Sequence, residues 1–297
     1  MSTSKIPRTK NQELKTLLTL GLIAHVEKKG AAQVVKSVVQ ELRAHSVPFL
    51  LEQATAALIN EPSSLDEAML AEQSDLLLVM GGDGSILRAM HRSGGHLRAI
   101  FGLNIGSLGF LTCLPAKEYQ RAVQCIINKD YLLSNRSLLE LQIDSTIFGL
   151  ALNDVVISRG ERSQLIRLSV AIDGVPLTEY HADGLIVATP TGSTAYSLAA
   201  GGPIAMPDSK ALLITPICPH VFSNRSMVIS DQSTITIEAA PDQKIFISLD
   251  GREPRLMKPQ ERLLLRTSEK KLPLAMLPDT SFAEILRQKL KWTGSNF

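Results

Sequence analysis

The chain has 297 residues, more than one compact core comfortably fills and enough for two. Hydrophobic residues at 44% and charged residues at 20% describe a folded globular protein and exclude a disordered one. A formal net charge of +2, with no long Lys/Arg stripe, argues against a nucleic-acid binder that works by neutralising phosphates.

The three cysteines, Cys113, Cys125 and Cys218, are odd in number and form no C-x-x-C pair, which fits a reducing cytoplasm. Residues 1–12 are polar and basic, lack the apolar core of a signal peptide, and read as a frayed tail. No apolar run reaches the roughly 20 residues that a membrane helix needs. A cytoplasmic protein without membrane or nucleic-acid partners is expected.

In chain order, residues 17–24 form an apolar run suited to a buried strand. Residues 30–45 follow as a helix with Val34, Val35, Val38, Val39 and Leu42 on one face. Residues 49–52 read as a short strand, and 62–73 as a helix capped by Ser63 or Ser64. Residues 75–80 are a second buried strand with an abrupt Gly-rich stop, 86–92 look helical, and 99–103 are again an apolar strand. Such alternation predicts a mostly parallel sheet covered by helices on both faces.

After a helix over 118–128 the character changes. Short β-branched and aliphatic runs occupy 140–143, 147–158, 165–172, 184–189, 212–217, 234–238, 245–249 and 262–265, separated by turns such as Asp173-Gly174 and Asp250-Gly251. Only 193–200 interrupts with helical character, so this part is β-rich. A tail helix over 280–290 shows Phe282, Ile285 and Leu286 on its apolar side.

Four stretches carry chemistry. In Val79-Met80-Gly81-Gly82-Asp83-Gly84-Ser85 a buried strand runs into three glycines and one carboxylate, with a helix just after. Glycines let backbone N–H groups close on an anion, and a helix N-terminus adds partial positive charge. A carboxylate there repels phosphate, but it suits a general base acting on a hydroxyl beside the phosphates. The plain alternative is an Asp that only caps the helix. No G-x-x-x-x-G-K-[ST] occurs, which disfavours a Walker-type NTPase.

The second stretch, residues 102–111 (GLNIGSLGFL), is another strand end with a glycine-rich turn, at the sheet edge where ligands bind. Its spacing is not G-x-G-x-x-G, so a dehydrogenase fingerprint is absent. The third, Leu152-Asn153-Asp154-Val155-Val156, sets an amide and an acid inside a β-branched run, suited to a ribose or an amide-bearing base, or simply to a turn with local hydrogen bonds. The fourth joins His181-Ala182-Asp183-Gly184 to residues 189–203 (TPTGSTAYSLAAGGP), rich in small hydroxyls, with Tyr196 offering a face for stacking. His25, His45, His91, His96 and His220 show no metal-ligand spacing, so no protein-built metal site is expected. Asp250-Gly251-Arg252 reads first as a turn.

Together these stretches resemble the ATP-dependent NAD kinase family, over about residues 75–203 and more weakly beyond. The elements that carry the resemblance are Gly81-Gly82-Asp83-Gly84, the glycine loop of 104–111, Tyr131, Arg136, Leu139 and Glu140, Asn153-Asp154, and the Asp183-Gly184 and TPTGSTAYS segments. GGDG by itself is shared with diacylglycerol- and sphingosine-type lipid kinases and with phosphofructokinase relatives. In combination with TPTGSTAYSLAAGGP it is specific.

The resemblance implies an α/β nucleotide-binding domain with a mostly parallel sheet, residues 1–133 with 275–297, and a β-rich NAD-binding domain, 134–274. It also implies a C-terminal helix packing back on the first domain. The implied reaction moves the γ-phosphoryl of ATP to the adenosine ribose 2′-hydroxyl of NAD, with Mg2+ accompanying ATP, in a homodimer or homotetramer. Asp83 matches the family's proton acceptor, and Gly81, Gly82, Gly84 and Ser85 its phosphate-holding loop. Asn153 and Asp154 match the pair that binds the dinucleotide, His181 a position that is often basic, and Asp183 a ligand-contacting acid. Thr194, Ala195, Tyr196, Ser197, Leu198 and Ala199 would line the adenosine and nicotinamide sides, and Arg252 falls in a polar substrate position. Two departures stand out: the family usually has Asn-Glu at Asn153-Asp154, and an uncharged amide or an acid at Arg252. The residues by themselves reach a phosphate-handling hydroxyl kinase, and NAD comes from the resemblance. A diacylglycerol-type lipid kinase and a non-catalytic dinucleotide sensor are the competing readings, followed by a nicotinamide-dependent oxidoreductase, which the missing glycine fingerprint disfavours.

Overall fold

A computed structural model describes residues 18–106, 109–160, 164–221, 223–241 and 243–292. The basic tail, Leu17, Ser107 and Leu108 lie outside the described residues. Strand β1 (Leu20–Ala24) leads to helix α1 (Ala31–Ala44), β2 (Phe49–Leu51), α2 (Gln53–Ala57) and α3 (Glu67–Gln73). Then come β3 (Leu76–Gly81), α4 (Asp83–Arg92), β4 (Ala99–Asn104), the short β5 (Leu114–Pro115) and α5 (Tyr119–Asn128). The strands pair in parallel in the order β2-β1-β3-β4. Along β3, Leu76, Leu78 and Met80 pack with Val35, Val38 and Leu42 of α1, while Leu77 and Val79 pack with Ile86, Ala89 and Met90 of α4. Burial on both faces is why this strand reads as an unbroken apolar run.

Local boundaries differ from expectation for identifiable reasons. The helix expected over 62–73 begins at Glu67, because its cap is Asp66, whose carboxylate accepts from Met69 N–H at 2.8 Å. Ser63 instead donates its hydroxyl to the Leu51 carbonyl. The helix expected from Ile86 starts at Asp83, so the acid of the glycine loop is itself helical.

The β-rich part contains β6 (Leu132–Ile143), β7 (Thr146–Ala151), β8 (Asp154–Arg159), β9 (Ile166–Ile172), β10 (Val175–Ala182) and β11 (Gly184–Ala188). They are followed by α6 (Tyr196–Ala199), β12 (Ala211–Ile217), β13 (Met227–Ser230), β14 (Ile235–Ala239), β15 (Ile245–Leu249), β16 (Arg255–Leu256), β17 (Arg262–Met276) and α7 (Phe282–Lys289). The single run expected over 147–158 is two strands, β7 and β8, broken at Leu152 and Asn153. One antiparallel sheet has the order β13-β12-β11-β8-β15-β16. Its inner residues, such as Val155, Ile157, Leu185 and Val187, pack against Leu168, Val170, Ile235, Ile237, Leu263 and Leu265 of the other sheet.

Strand β17, 15 residues long, joins the two parts. It pairs antiparallel with β6 along both halves, its first half pairs antiparallel with β14 on the other flank, and Leu274 pairs in parallel with Ile100 of β4. Parallel and antiparallel strands thus form one continuous sheet. The division expected between residues 274 and 275 falls inside this strand. Helix α7 packs back on the first part through buried Ile285, through the Phe282 ring 6.0 Å from that of Phe110, and through an Arg121–Asp279 ion pair at 3.2 Å just before the helix. Among the described residues, no helix is long and apolar enough to cross a membrane.

Leu274 is 0% exposed at the junction. Leu274→Ala is expected to cost about 2–5 kcal/mol. Because both sheets share its strand, far-UV and near-UV circular dichroism should report one coincident transition at lower temperature. Two separated transitions would show that the sheets unfold independently.

Candidate active site

Three loops meet at the carboxyl edge of the parallel sheet. After β3, Gly82 precedes α4, and its N–H donates to Ser85 Oγ at 3.2 Å. Asp83, the first residue of α4, reaches across to the second glycine loop. Its Oδ2 accepts from Phe110 N–H at 2.8 Å and its Oδ1 from Leu111 N–H at 3.0 Å. The approach is close enough that a Cβ on Gly109 would lie 1.9 Å from Asp83 Oδ1, so only glycine fits there.

The third loop, residues 25–30 after β1, was not singled out from the sequence. With Gly82, Gly84, Ser85 and Arg88, its residues His25, Glu27, Lys28 and Lys29 line a cavity of about 660 Å3. A usable signal existed: Glu27-Lys28-Lys29-Gly30 comes two residues after an apolar strand, and in such a sheet all parallel strands deliver their carboxyl ends to one edge.

The β-rich part closes the site through Asp250. This residue stands at the turn after β15 with φ 50°, and its side chain is 0% exposed. Oδ1 accepts from the N–H groups of Asn153 (2.7 Å) and Asp154 (3.1 Å), and Oδ2 from that of Leu152 (2.8 Å). His91 Nε2, from α4, lies 2.7 Å from Oδ2, while Arg252 Nη1 lies 3.3 Å from His91 Nδ1. An arginine only donates, so Nδ1 is the acceptor and Nε2 carries the proton toward Asp250. His91 and Asp250 carry no local signal in the sequence, since nothing in either segment announces a contact across 159 positions.

Asp154 is buried beneath this arrangement. Its carboxylate is turned toward the Tyr196 N–H at the start of α6. Burial first, and the nearby Asp250 second, push its pKa up from 3.8 to about 7, partly opposed by that N–H. In α6 the side chains diverge. Tyr196 is 47% exposed, whereas Ser197 is fully buried, with its hydroxyl 3.0 Å from that of Thr215. Thr194, Ala195 and Leu198 are half-buried, and Ala199 is exposed.

His181 and Asp183 lie elsewhere. Ala188 of β11 sits opposite Asp154, while Gly184 sits opposite Ser158. The start of β11 is therefore on the order of 15 Å from Asp154 along the strand. There Asp183 accepts from Arg159 Nε at 2.6 Å, and His181 Nε2 lies 2.6 Å from Glu179. Among the described residues, no three His, Cys, Asp or Glu side chains are placed to hold a metal ion.

Asp154 carries a stability consequence. With its pKa raised from 3.8 to about 7, the fold favours the protonated acid, so its contribution is full below pH 4 and is lost as pH rises through 7. Asp154→Asn is therefore expected to match wild type in stability near pH 4 and to exceed it by on the order of 2–4 kcal/mol at pH 8. Urea titrations at the two pH values check this, and an equal offset at both would place the acid in water.

Comparison with known proteins places this geometry. The profile of the ATP-NAD kinase N-terminal domain matches residues 20–131, and that of the ATP-NAD kinase C-terminal domain matches residues 152–277. The NAD kinase of Chlorobium phaeobacteroides is 35% identical, over 93% of this chain and 97% of its own. That of Desulforamulus reducens is 35% identical over 92% and 97%. Yeast NADH kinase, solved in complex with NADH, superposes with a TM-score of 0.85 at 26% identity, covering 95% of this chain and 89% of that one. An Archaeoglobus fulgidus NAD kinase, solved in complex with ATP, shares the fold with a TM-score of 0.73 at 24% identity, covering 93% and 100%. Matched in both halves and along nearly its whole length, the chain belongs to the NAD kinase family.

Proposed function

We infer that this chain transfers the γ-phosphoryl of ATP to the 2′-hydroxyl of the adenosine ribose of NAD, releasing NADP and ADP. The observation that carries the reading is the Asp83 carboxylate, held by two backbone N–H groups, on a residue whose neighbours Gly82, Gly84 and Ser85 line a cation-walled cavity. The ribose oxygen forms its bond to the γ-phosphorus as the bond from that phosphorus to the bridging oxygen of ADP breaks. Asp83 takes the hydroxyl proton. Each of its oxygens accepts one N–H and keeps a free lone pair, so the carboxylate can take the proton without turning. Phosphoryl transfer asks mainly for such positioning and for charge neutralisation.

Lys28, Lys29 and Arg88 on the cavity wall suit a triphosphate, and no apolar side chain lines it for an acyl chain. A Mg2+ ion held chiefly by phosphates and water needs only one or two protein carboxylates, and Glu27 on the same wall fits that part. Such an ion would neutralise charge on the transferring group. In this reading Asn153, whose backbone is fixed by Asp250, and the exposed Tyr196 ring meet the dinucleotide. The free cysteines Cys113, Cys125 and Cys218 accord with a reducing cytoplasm.

Asp183 and His181, at the far end of β11, serve substrate only if they reach the site of a second copy. We therefore assign the working form to a homodimer or homotetramer with shared sites.

Asp83→Asn is expected to keep the fold and NAD binding while lowering kcat about 10²–10⁴-fold. A coupled assay of NADP formation checks it, and near-wild-type turnover would remove Asp83 as the base. Mixing inactive Asp83→Asn with inactive Asp183→Asn should restore about a quarter of wild-type activity if copies exchange and share sites. No recovery in a demonstrably mixed oligomer would return Asp183 to a structural role.

A further inference from the structure

The loop after β1 and the strand end of β4 hold polar groups that the fold itself does not use. Asn104 is 1% exposed, and neither its Oδ1 nor its Nδ2 has a hydrogen-bond partner. Its place is fixed by the parallel ladder, where it pairs with Gly81, and by the Ile105 N–H donating to the Gly81 carbonyl at 2.6 Å. The point a Cβ would occupy on Gly82 lies 3.6 Å from Asn104 Oδ1 and 3.5 Å from Lys28 Nζ. The corresponding point on Gly106 lies 3.6 Å from Lys28 Cε and Nζ. A half-buried lysine thus brings its ammonium against both glycine loops. Two further buried nitrogens at the same place, His25 Nδ1 and Arg88 Nε, also lack a hydrogen-bond partner, although Arg88 Nε is 3.5 Å from Glu67 Oε1.

Native folds seldom leave a buried amide wholly unsatisfied, and its cost is tolerated where a ligand completes the bonds. The unused groups here are mostly donors around a cationic cavity, which selects an anion with several oxygens. We propose that Lys28 and the Asn104 amide form the subsite that grips the terminal phosphates of the donor. Lys28 meets the phosphoryl oxygens as a charge-assisted donor, and Asn104 Nδ2 donates to the same group from below the glycine loop. This rests on the phosphoryl-transfer reading above and adds to it a contact role for the Asn104 amide, at the head of the second glycine loop, and a named phosphate partner for Lys28. The ligand chemistry is the end of a linear polyphosphate chain, whether nucleoside triphosphate or inorganic polyphosphate.

The test uses inorganic tripolyphosphate binding by calorimetry alongside KM for ATP and for NAD in the full-length protein. Lys28→Met, which keeps the apolar stem, is expected to weaken tripolyphosphate and raise KM for ATP by about 10- to 100-fold. KM for NAD should stay within about twofold, and Lys28→Arg should restore most of the loss. Asn104→Leu should melt no lower than wild type, since it removes an unpaired buried amide, yet weaken tripolyphosphate at least about tenfold. The near-isosteric Asn104→Asp adds negative charge at the same point and should weaken it as much or more. Unchanged tripolyphosphate binding in Lys28→Met overturns the proposal, as does a loss seen with ATP alone, which would put the contact on the nucleoside. A wild type that binds tripolyphosphate through Lys28 but makes no NADP leaves the subsite standing and removes the kinase reading. NADP formation indifferent to Lys28→Met does the reverse.

Discussion

The Asp250 carboxylate accepts from three successive backbone N–H groups, those of Leu152, Asn153 and Asp154, and from His91 Nε2. A carboxylate offers about four acceptor sites, and burying one is tolerable only when they are used. Here they are all used, and each bond joins segments distant in sequence. His91 rides on the helix that begins with Asp83, so one acid sets the spacing between that residue and Asn153. Hydrogen bonds to charged groups contribute about 1.5–3 kcal/mol each, enough to offset the left-handed turn that Asp250 adopts.

Much of this was legible beforehand. The apolar run of 75–80 stopping at three glycines is a strand delivering a loop, and burial on both faces leaves it no other form. The break at Leu152-Asn153 was harder to read, because β-branched residues on both sides continue the strand signal and only tertiary bonds to Asp250 interrupt it. Within residues 194–199 the sequence displays two small hydroxyls alike, those of Thr194 and Ser197. Which of them faces inward depends on Thr215, a partner on another strand. His91 and Lys28 were passed over for the opposite reasons. One makes a contact too distant for any window to register, and the other is a common surface residue whose meaning comes only from the sheet edge it occupies.

Three aspartates, two at the site and one beyond it, show how environment divides labour among like groups. Asp83 is aimed by amides from a neighbouring loop and stands beside a wide cavity. Asp154 is buried and shares its surroundings with Asp250, so its charge is expensive near neutrality. Asp183 is tied to a guanidinium at the opposite end of the sheet. The same functional group thus aims, supports or reaches outward according to which backbone surrounds it.

The shared strand β17 has a consequence for how the molecule can be divided. A fragment carrying only the parallel strands would end before β17 and leave β4 without the neighbour that covers it near Ile100. Its uncovered N–H and C=O groups would form an open edge, ready to recruit any extended chain. A fragment carrying the remainder would present the second half of β17 with one flank bare. Two units recognisable by their sequences are therefore poor candidates for separate expression: each would be sticky along the line where the other belongs, and aggregation would precede any measurement of its binding.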